Sequence, residues 1–177
     1  MNGFEYQVAG HMIWEGMVTE GMAITRAIHD RYQAARRNPW NEIECGDHYA
    51  RSMASYGVFL AACGFEYHGP KGHIGFAPRL TPENFKAAFT VAEGWGSFSQ
   101  TVKGKELHAR IELKRGRLRL RSIVLTPAKD ATPSTAKVLA QGRAVDSRLE
   151  LKDGKILVTF AEDVVLTPEE GLNVVVG

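Results

Sequence analysis

The stretch NPWNEIECGDHYARSMASYG, residues 38–57, sets Glu42, Glu44 and Asp47 beside Trp40, His48, Tyr49 and Arg51. Glu42 and Glu44 are two residues apart, so in extended backbone their carboxylates point to opposite sides. Glycoside cleavage needs two carboxyls facing one bond, about 5–5.5 Å apart for retention or 6.5–9.5 Å for inversion, and these two do not fit that demand. Glu42 and Arg51 make a better pair. A carboxylate accepts hydrogen bonds from hydroxyls and a guanidinium donates to them, so together they can bracket a polyol. Trp40 and Tyr49 can lend aromatic faces to the C–H side of a sugar. A plainer alternative has Glu42 and Arg51 paired with each other beside a helix start, a common and weakly stabilising surface contact.

Other chemistry is harder to find. Glu44, Cys45, Asp47 and His48 match no zinc spacing and have no second ligand cluster. Asp47 reads more simply as a helix cap and His48 as a polar first-turn residue. His11, His29, His68 and His73 are scattered, with no serine or cysteine in a nucleophile elbow. The glycines of GFEYHGPKGHIG lack the Gly-Lys-Ser/Thr ending of a phosphate loop. No metal and no cofactor is expected. Arg110, Lys114, Arg117, Arg119 and Arg121 form a basic stripe that could track phosphates. Glu106 and Glu112 interrupt it and no aromatic residues interleave, so it reads as a solvated strand face, with no nucleic acid as partner.

The elements that carry these residues change character along the chain. Phe4, Val8, Met12 and Ile13 recur at helical spacing, and Met22, Ile28 and Tyr32 predict a second helix, with Thr19 as its cap. Pro39 ends helical structure. Asp47 then opens a third helix, with Tyr49, Met53, Tyr56, Leu60 and Cys63 along one face and Gly64 as its left-handed stop. Residues 66–86 are Gly- and Pro-rich and read as connecting loop, with a short helical turn at Thr81-Pro82-Glu83. From about Ala87 the period becomes two. Leu107, Ile111 and Leu113 alternate with His108, Arg110, Glu112 and Lys114, and Gly116 turns the chain into Leu118 and Leu120. Asp153-Gly154 predicts a tight hairpin, and KDATPSTAK (129–137) is the one linker-like segment. The expected fold is α+β: three helices followed by an antiparallel sheet of about six to eight strands.

Composition excludes little and permits much. At 177 residues, 44% hydrophobic and 24% charged, the chain is ordinary for a globular protein. With a net charge of only +2, nothing global argues for nucleic acid or a membrane surface. No apolar run is long enough to span a membrane, and the first residues lack the basic and apolar regions of a signal peptide. Cys45 and Cys63 build no disulfide framework. The compartment stays open, with the cytoplasm favoured.

Glu42, eight intervening residues, Arg51 and then Ser52-Met53-Ala54, with the upstream FEYQVAGHMIWEGMVTEGMAITRAIHDRY, resemble the C-terminal end of glycoside hydrolase family 116. That family contains bacterial β-glucosidases and the non-lysosomal glucosylceramidases, and the resemblance covers roughly residues 3–65. It implies an (α/α)6 barrel and cleavage of β-glucosides with retention. It also implies that Glu42 and Arg51 hold hydroxyls of the glucose nearest the cleaved bond. The family's nucleophile and acid/base carboxylates precede the matching segment, so residues 1–65 would be closing helices of a barrel whose N-terminal part is a missing partner. Residues 66–86 would connect them to a β-rich module, 87–177, which the resemblance does not cover. The rival reading is a stand-alone, non-catalytic β-rich module that binds carbohydrate or protein.

Orientation contributes nothing to a rate without an acid and a nucleophile to orient. The purified 177-residue chain is therefore expected to release no aryl aglycone from a chromogenic β-glucoside; activity that vanishes in Glu42→Ala would overturn this.

Overall fold

The computed structural model describes residues 2–32, 35, 52–168 and 170–177. Among them the chain is α+β, with three α-helices followed by eleven strands. It divides into two compact units, Met1–Gly64 and Phe65–Gly177.

The first unit contains α1 (Asn2–Trp14), α2 (Val18–His29) and α3 (Ser52–Cys63). Helix α1 buries Tyr6, Ala9, Gly10 and Ile13, which recur on one face. The apolar stripe expected on Phe4 and Val8 is instead 61% and 50% exposed. A small residue is what allows α1 and α2 to approach: a Cβ on Gly21 of α2 would lie 2.7 Å from the Ala9 carbonyl oxygen, whereas one on Gly10 would make an ordinary contact, 3.7 Å from the Gly57 backbone of α3. Periodicity marks two faces of α1, and close approach selects the small one. Thr19 is no cap: α2 begins at Val18, and Met17 at the cap position makes no side-chain cap bond. Ile28 is buried with Met22 and Tyr32 packed beside it, as the helical spacing predicts. Gly64, at φ 54°, supplies the left-handed stop after α3. The face expected on α3 holds at Cys63, which is buried, but is rotated elsewhere: Val58 and Ala61 are buried, while Met53 is 86% exposed. The cap at Asp47 lies outside the described residues.

The second unit packs two sheets face to face. One runs β1 (Glu66–His68), β2 (His73–Phe76), β6 (Leu118–Leu125), β10 (Lys155–Leu166), β9 (Ser147–Lys152). The other runs β3 (Asn84–Val91), β4 (Gly94–Lys103), β5 (Glu106–Gly116), β11 (Gly171–Val176), β7 (Ala136–Ala140), β8 (Arg143–Ala144). Residues 66–86, read as connecting loop, contain β1, β2 and the start of β3. Those strands are too short and too glycine-rich to show a period of two. Nor is the module wholly antiparallel, because β2 pairs with β6 in parallel. Thr81-Pro82-Glu83 is a turn, not a helical one.

Gly116 does not close a hairpin. It ends β5 in the six-stranded sheet, and β6 belongs to the five-stranded one. Gly116 has φ 85°, and a Cβ there would fall 1.9 Å from the Glu93 carbonyl oxygen. The Arg117 N–H donates to that same oxygen at 3.0 Å and fixes the crossing. The Asp153-Gly154 turn forms as expected, with both residues at positive φ and Lys152 opposite Lys155.

Inward residues of both sheets form one core. Leu107, Ala109, Ile111 and Leu113 of β5 face the same interior as Leu118, Leu120, Ile123 and Leu125 of β6. Phe76 of β2 and Phe98 of β4 stack at 3.8 Å between ring centroids, joining the two sheets.

Phe98→Ala is expected to lower unfolding free energy by ~3–5 kcal/mol in urea denaturation, as truncation of a core aromatic does. Gly116→Ala should cost far more than Gly104→Ala, which has a similar φ of 63° but nothing within 4 Å of the added Cβ. The latter carries only the left-handed backbone cost, about 1 kcal/mol.

Candidate functional site

Glu42, Arg51, Trp40 and Tyr49 lie outside the described residues, as do Glu44, Cys45, Asp47 and His48. Helix α3, which follows Arg51 directly in the chain, is described from Ser52. Against its N-terminal half lies a groove of about 590 Å³, lined by Tyr6, Gln7, His11 and Trp14 of α1 and Met53 and Ala54 of α3. Gly10 and Gly57 floor it with backbone alone. Aromatic walls with one amide and one imidazole suit an apolar surface held by a few hydrogen bonds. Glu5 grips Arg31 of the segment after α2, and that bond holds its carboxyl below the usual carboxylate range.

In the second unit the basic stripe is not one surface. Arg110 and Lys114 lie on the outward face of β5 in the six-stranded sheet; Arg119 and Arg121 lie on the outward face of β6 in the other sheet. The two faces look away from each other, so no single polyanion can follow the stripe. Most of its charge is also compensated. Lys114 pairs with Glu112 at 2.9 Å, Arg117 with Glu93 at 3.0 Å, and Arg119 and Arg121 with Asp163 at 3.0 and 3.6 Å. A bulge in β10 between Thr159 and Val164 brings Asp163 to both arginines. Arg119 also donates to the carbonyls of Gly69 and Pro70, at 3.1 and 2.8 Å, pinning the turn between β1 and β2. Sequence spacing gave no sign of the Arg117–Glu93 and Arg119–Asp163 pairings, whose partners stand 24 and 44 residues apart.

His73 sits on the outward face of the five-stranded sheet, its Nδ1 2.8 Å from Ser122 Oγ and its Nε2 4.0 Å from Glu66 Oε2. Lys155 Nζ donates to Glu66 at 2.6 Å. Burial pulls the His73 pKa below its ordinary value, and Glu66 opposes that only in part. Ser122 and His73 resemble a nucleophile and its base, but Glu66 is engaged by Lys155. Cys63 is buried, which pushes its thiol up to about 11, so it is a packing residue and no nucleophile. Among the described residues no three His, Cys, Asp or Glu side chains are placed to hold a metal ion, and no helix is long and apolar enough to cross a membrane.

No family model and no curated protein matches the chain. Among solved structures it is similar to an alpha-L-rhamnosidase from Dictyoglumus thermophilum, a glycoside hydrolase, with TM-score 0.40 and 12% identity. The match covers 77% of this chain and 16% of the rhamnosidase. So weak a likeness says nothing of shared chemistry.

Because folding lowers the His73 pKa, the folded chain binds fewer protons there than the unfolded chain once pH falls below about the ordinary value of 6.5. The stability this residue contributes is complete above that pH and is lost as pH falls through the folded pKa. Urea midpoints measured from pH 8 to pH 5 should therefore decline more steeply in the parent chain than in His73→Gln; equal slopes would remove His73 as the cause.

Proposed function

We propose that the chain is the C-terminal part of a retaining β-glycosidase of the family 116 type. Its helices would complete an (α/α)6 barrel, and Glu42 and Arg51 would hold sugar hydroxyls, with Trp40 and Tyr49 beside them. The observation that supports the helical half of this reading is the composition of α3. SMASYGVFLAAC carries no charged residue, yet only one side of it is buried, through Val58, Ala61 and Cys63. Met53, Tyr56 and Phe59 remain exposed, as do Phe4, Val8 and Trp14 of α1. A helix that is apolar all round belongs in the interior of a larger body. An earlier part of the barrel would cover these residues, each large side chain contributing roughly 1.5–3 kcal/mol on full burial.

The reading of the site rests on the family resemblance. Glu42 would accept from, and Arg51 donate to, neighbouring hydroxyls of the sugar next to the cleaved bond. Those bonds would fix the ring against a nucleophile and an acid supplied from upstream, and bonds that tighten toward the transition state raise kcat.

In the longer protein that this reading requires, Glu42→Ala should lower kcat/KM for an aryl β-glucoside about a hundredfold, ~3 kcal/mol. The sugar first released should be the β-anomer when hydrolysis is followed by proton NMR. Unchanged kcat/KM in Glu42→Ala would remove the sugar-holding role, and an initial α-anomer would remove retention.

A further inference from the structure

Arg110 differs from the rest of the basic stripe. Lys114, Arg117, Arg119 and Arg121 each have a carboxylate within 4 Å, whereas the partner found for Arg110 is neutral, the Asn173 amide oxygen at 3.5 Å. Glu112 is close enough to feel the Arg110 charge: Lys114 first, and then Arg110, hold its carboxyl below the usual carboxylate range. Glu112 accepts from Lys114 at 2.9 Å, and Glu106 Oε2 stands 3.3 Å from His108 Nε2. An exposed guanidinium with a neutral neighbour keeps most of its donor fork open.

The surroundings of that fork form a recess of about 240 Å³ on the outer face of the six-stranded sheet. Its side chains come from three adjacent strands: Ser99 and Thr101 of β4, His108 and Arg110 of β5, Asn173 and Val175 of β11. Register sets them abreast. Ser99 is opposite Arg110 and Arg110 opposite Asn173; in the next row Thr101, His108 and Val175 stand together. Strands lie about 4.8 Å apart, so hydroxyl, guanidinium and amide are spaced on the scale of a pyranose ring. The His108 Nε2 atom is buried, with Glu106 Oε2 3.3 Å away. Lys86 of β3, opposite Ser99, extends the row with a second cation.

The face stays open along the strands. In the row next to Arg110, Glu112 has Ser97 on one side and Gly171 on the other, and the Arg110 guanidinium leans over Gly171, where a Cβ would lie 3.5 Å from its Nη2. Farther along the same outward row of β4 is Trp95, 48% exposed. It lies four residues from Ser99, roughly 13 Å at strand rise, and a flat ring there can carry the C–H face of another sugar residue.

We infer that this face binds an acidic polysaccharide, with Arg110 taking the carboxylate of one uronate residue while Ser99, Thr101 and Asn173 exchange hydrogen bonds with its hydroxyls. The planar fork of arginine matches a carboxylate at two points. An open sheet face suits a chain that runs on past the site better than a small enclosed molecule. The inference concerns the β unit alone and does not rest on the proposed role of the helices.

The test uses the whole chain. Titration calorimetry with tetragalacturonate and with a β-linked tetraglucuronate should give saturable one-site binding for at least one of them. Arg110→Ala should weaken it tenfold or more, Arg110→Lys by less and Asn173→Ala several-fold, while Arg117→Ala stays within twofold. The fully methyl-esterified oligomer should bind at least tenfold more weakly. Circular dichroism would verify that the variants fold. Silence with both uronates, equal losses in Arg110→Ala and Arg117→Ala, or a methyl ester that binds like the acid would each overturn the inference. So would displacement of the oligosaccharide by an equal concentration of inorganic phosphate, which would leave a simple anion site.

Discussion

The β unit depends on the passage of two backbones past each other at Gly94 and Gly116. A Cβ on Gly94 would meet the Arg115 carbonyl at 2.3 Å, and one on Gly116 would meet Glu93 O at 1.9 Å. There the chain passes from β5 in one sheet to β6 in the other with Arg117 alone between the strands, and its N–H donates to Glu93 O to hold the corner. The rest follows from that crossing. Because β5 and β6 end up in opposite sheets, their leucines and isoleucines meet in one interior, and their basic residues are divided between two outer surfaces. One of those surfaces spends its arginines on Asp163 and on the turn after β1. The other leaves Arg110 beside hydroxyl and amide side chains.

The helical unit is held by a different principle. Absence of bulk brings α1 and α2 together at Gly21, where a Cβ would meet the Ala9 carbonyl oxygen at 2.7 Å, and dispersion among small residues such as Ala9 and Ala61 does the holding. Two buried clusters result: an extensive one in the sandwich, and a small one of Tyr6, Ala9, Ile13, Ile28, Val58 and Ala61 in the helices. The small cluster leaves much of the apolar surface of α1 and α3 uncovered, which is what sets the two units apart energetically.

Much of this order was legible in the sequence, and the misses have physical causes. The three helices, the stop at Gly64 and the Asp153-Gly154 turn follow from period and from backbone preference, both local properties. The buried faces of α1 and α3 were misjudged because periodicity marks apolar residues without saying which neighbour lies opposite. Strands β1 and β2 were missed because their partner is supplied by β6, far along the chain, and not by their own pattern. Gly116 showed a turn but not its destination, since a glycine at positive φ permits a hairpin and a crossing alike. Of the site, the residues singled out between Trp40 and Arg51 lie outside the described ones, while Arg110 was hidden among arginines that differ from it only in their long-range partners.

The parallel pairing of β2 with β6 has a kinetic consequence. Every residue of β3, β4 and β5 lies between those two strands in the chain. The β3–β4–β5 meander closes through short turns and can form from local contacts alone. The five-stranded sheet cannot gain its β2–β6 ladder until that whole meander has been looped out, and the entropy of closing so long a segment is spent before any ladder bond repays it. The β2–β6 ladder is thus a late contact, whereas the β3–β4–β5 meander in one layer and the β9–β10 hairpin in the other can form early from local contacts.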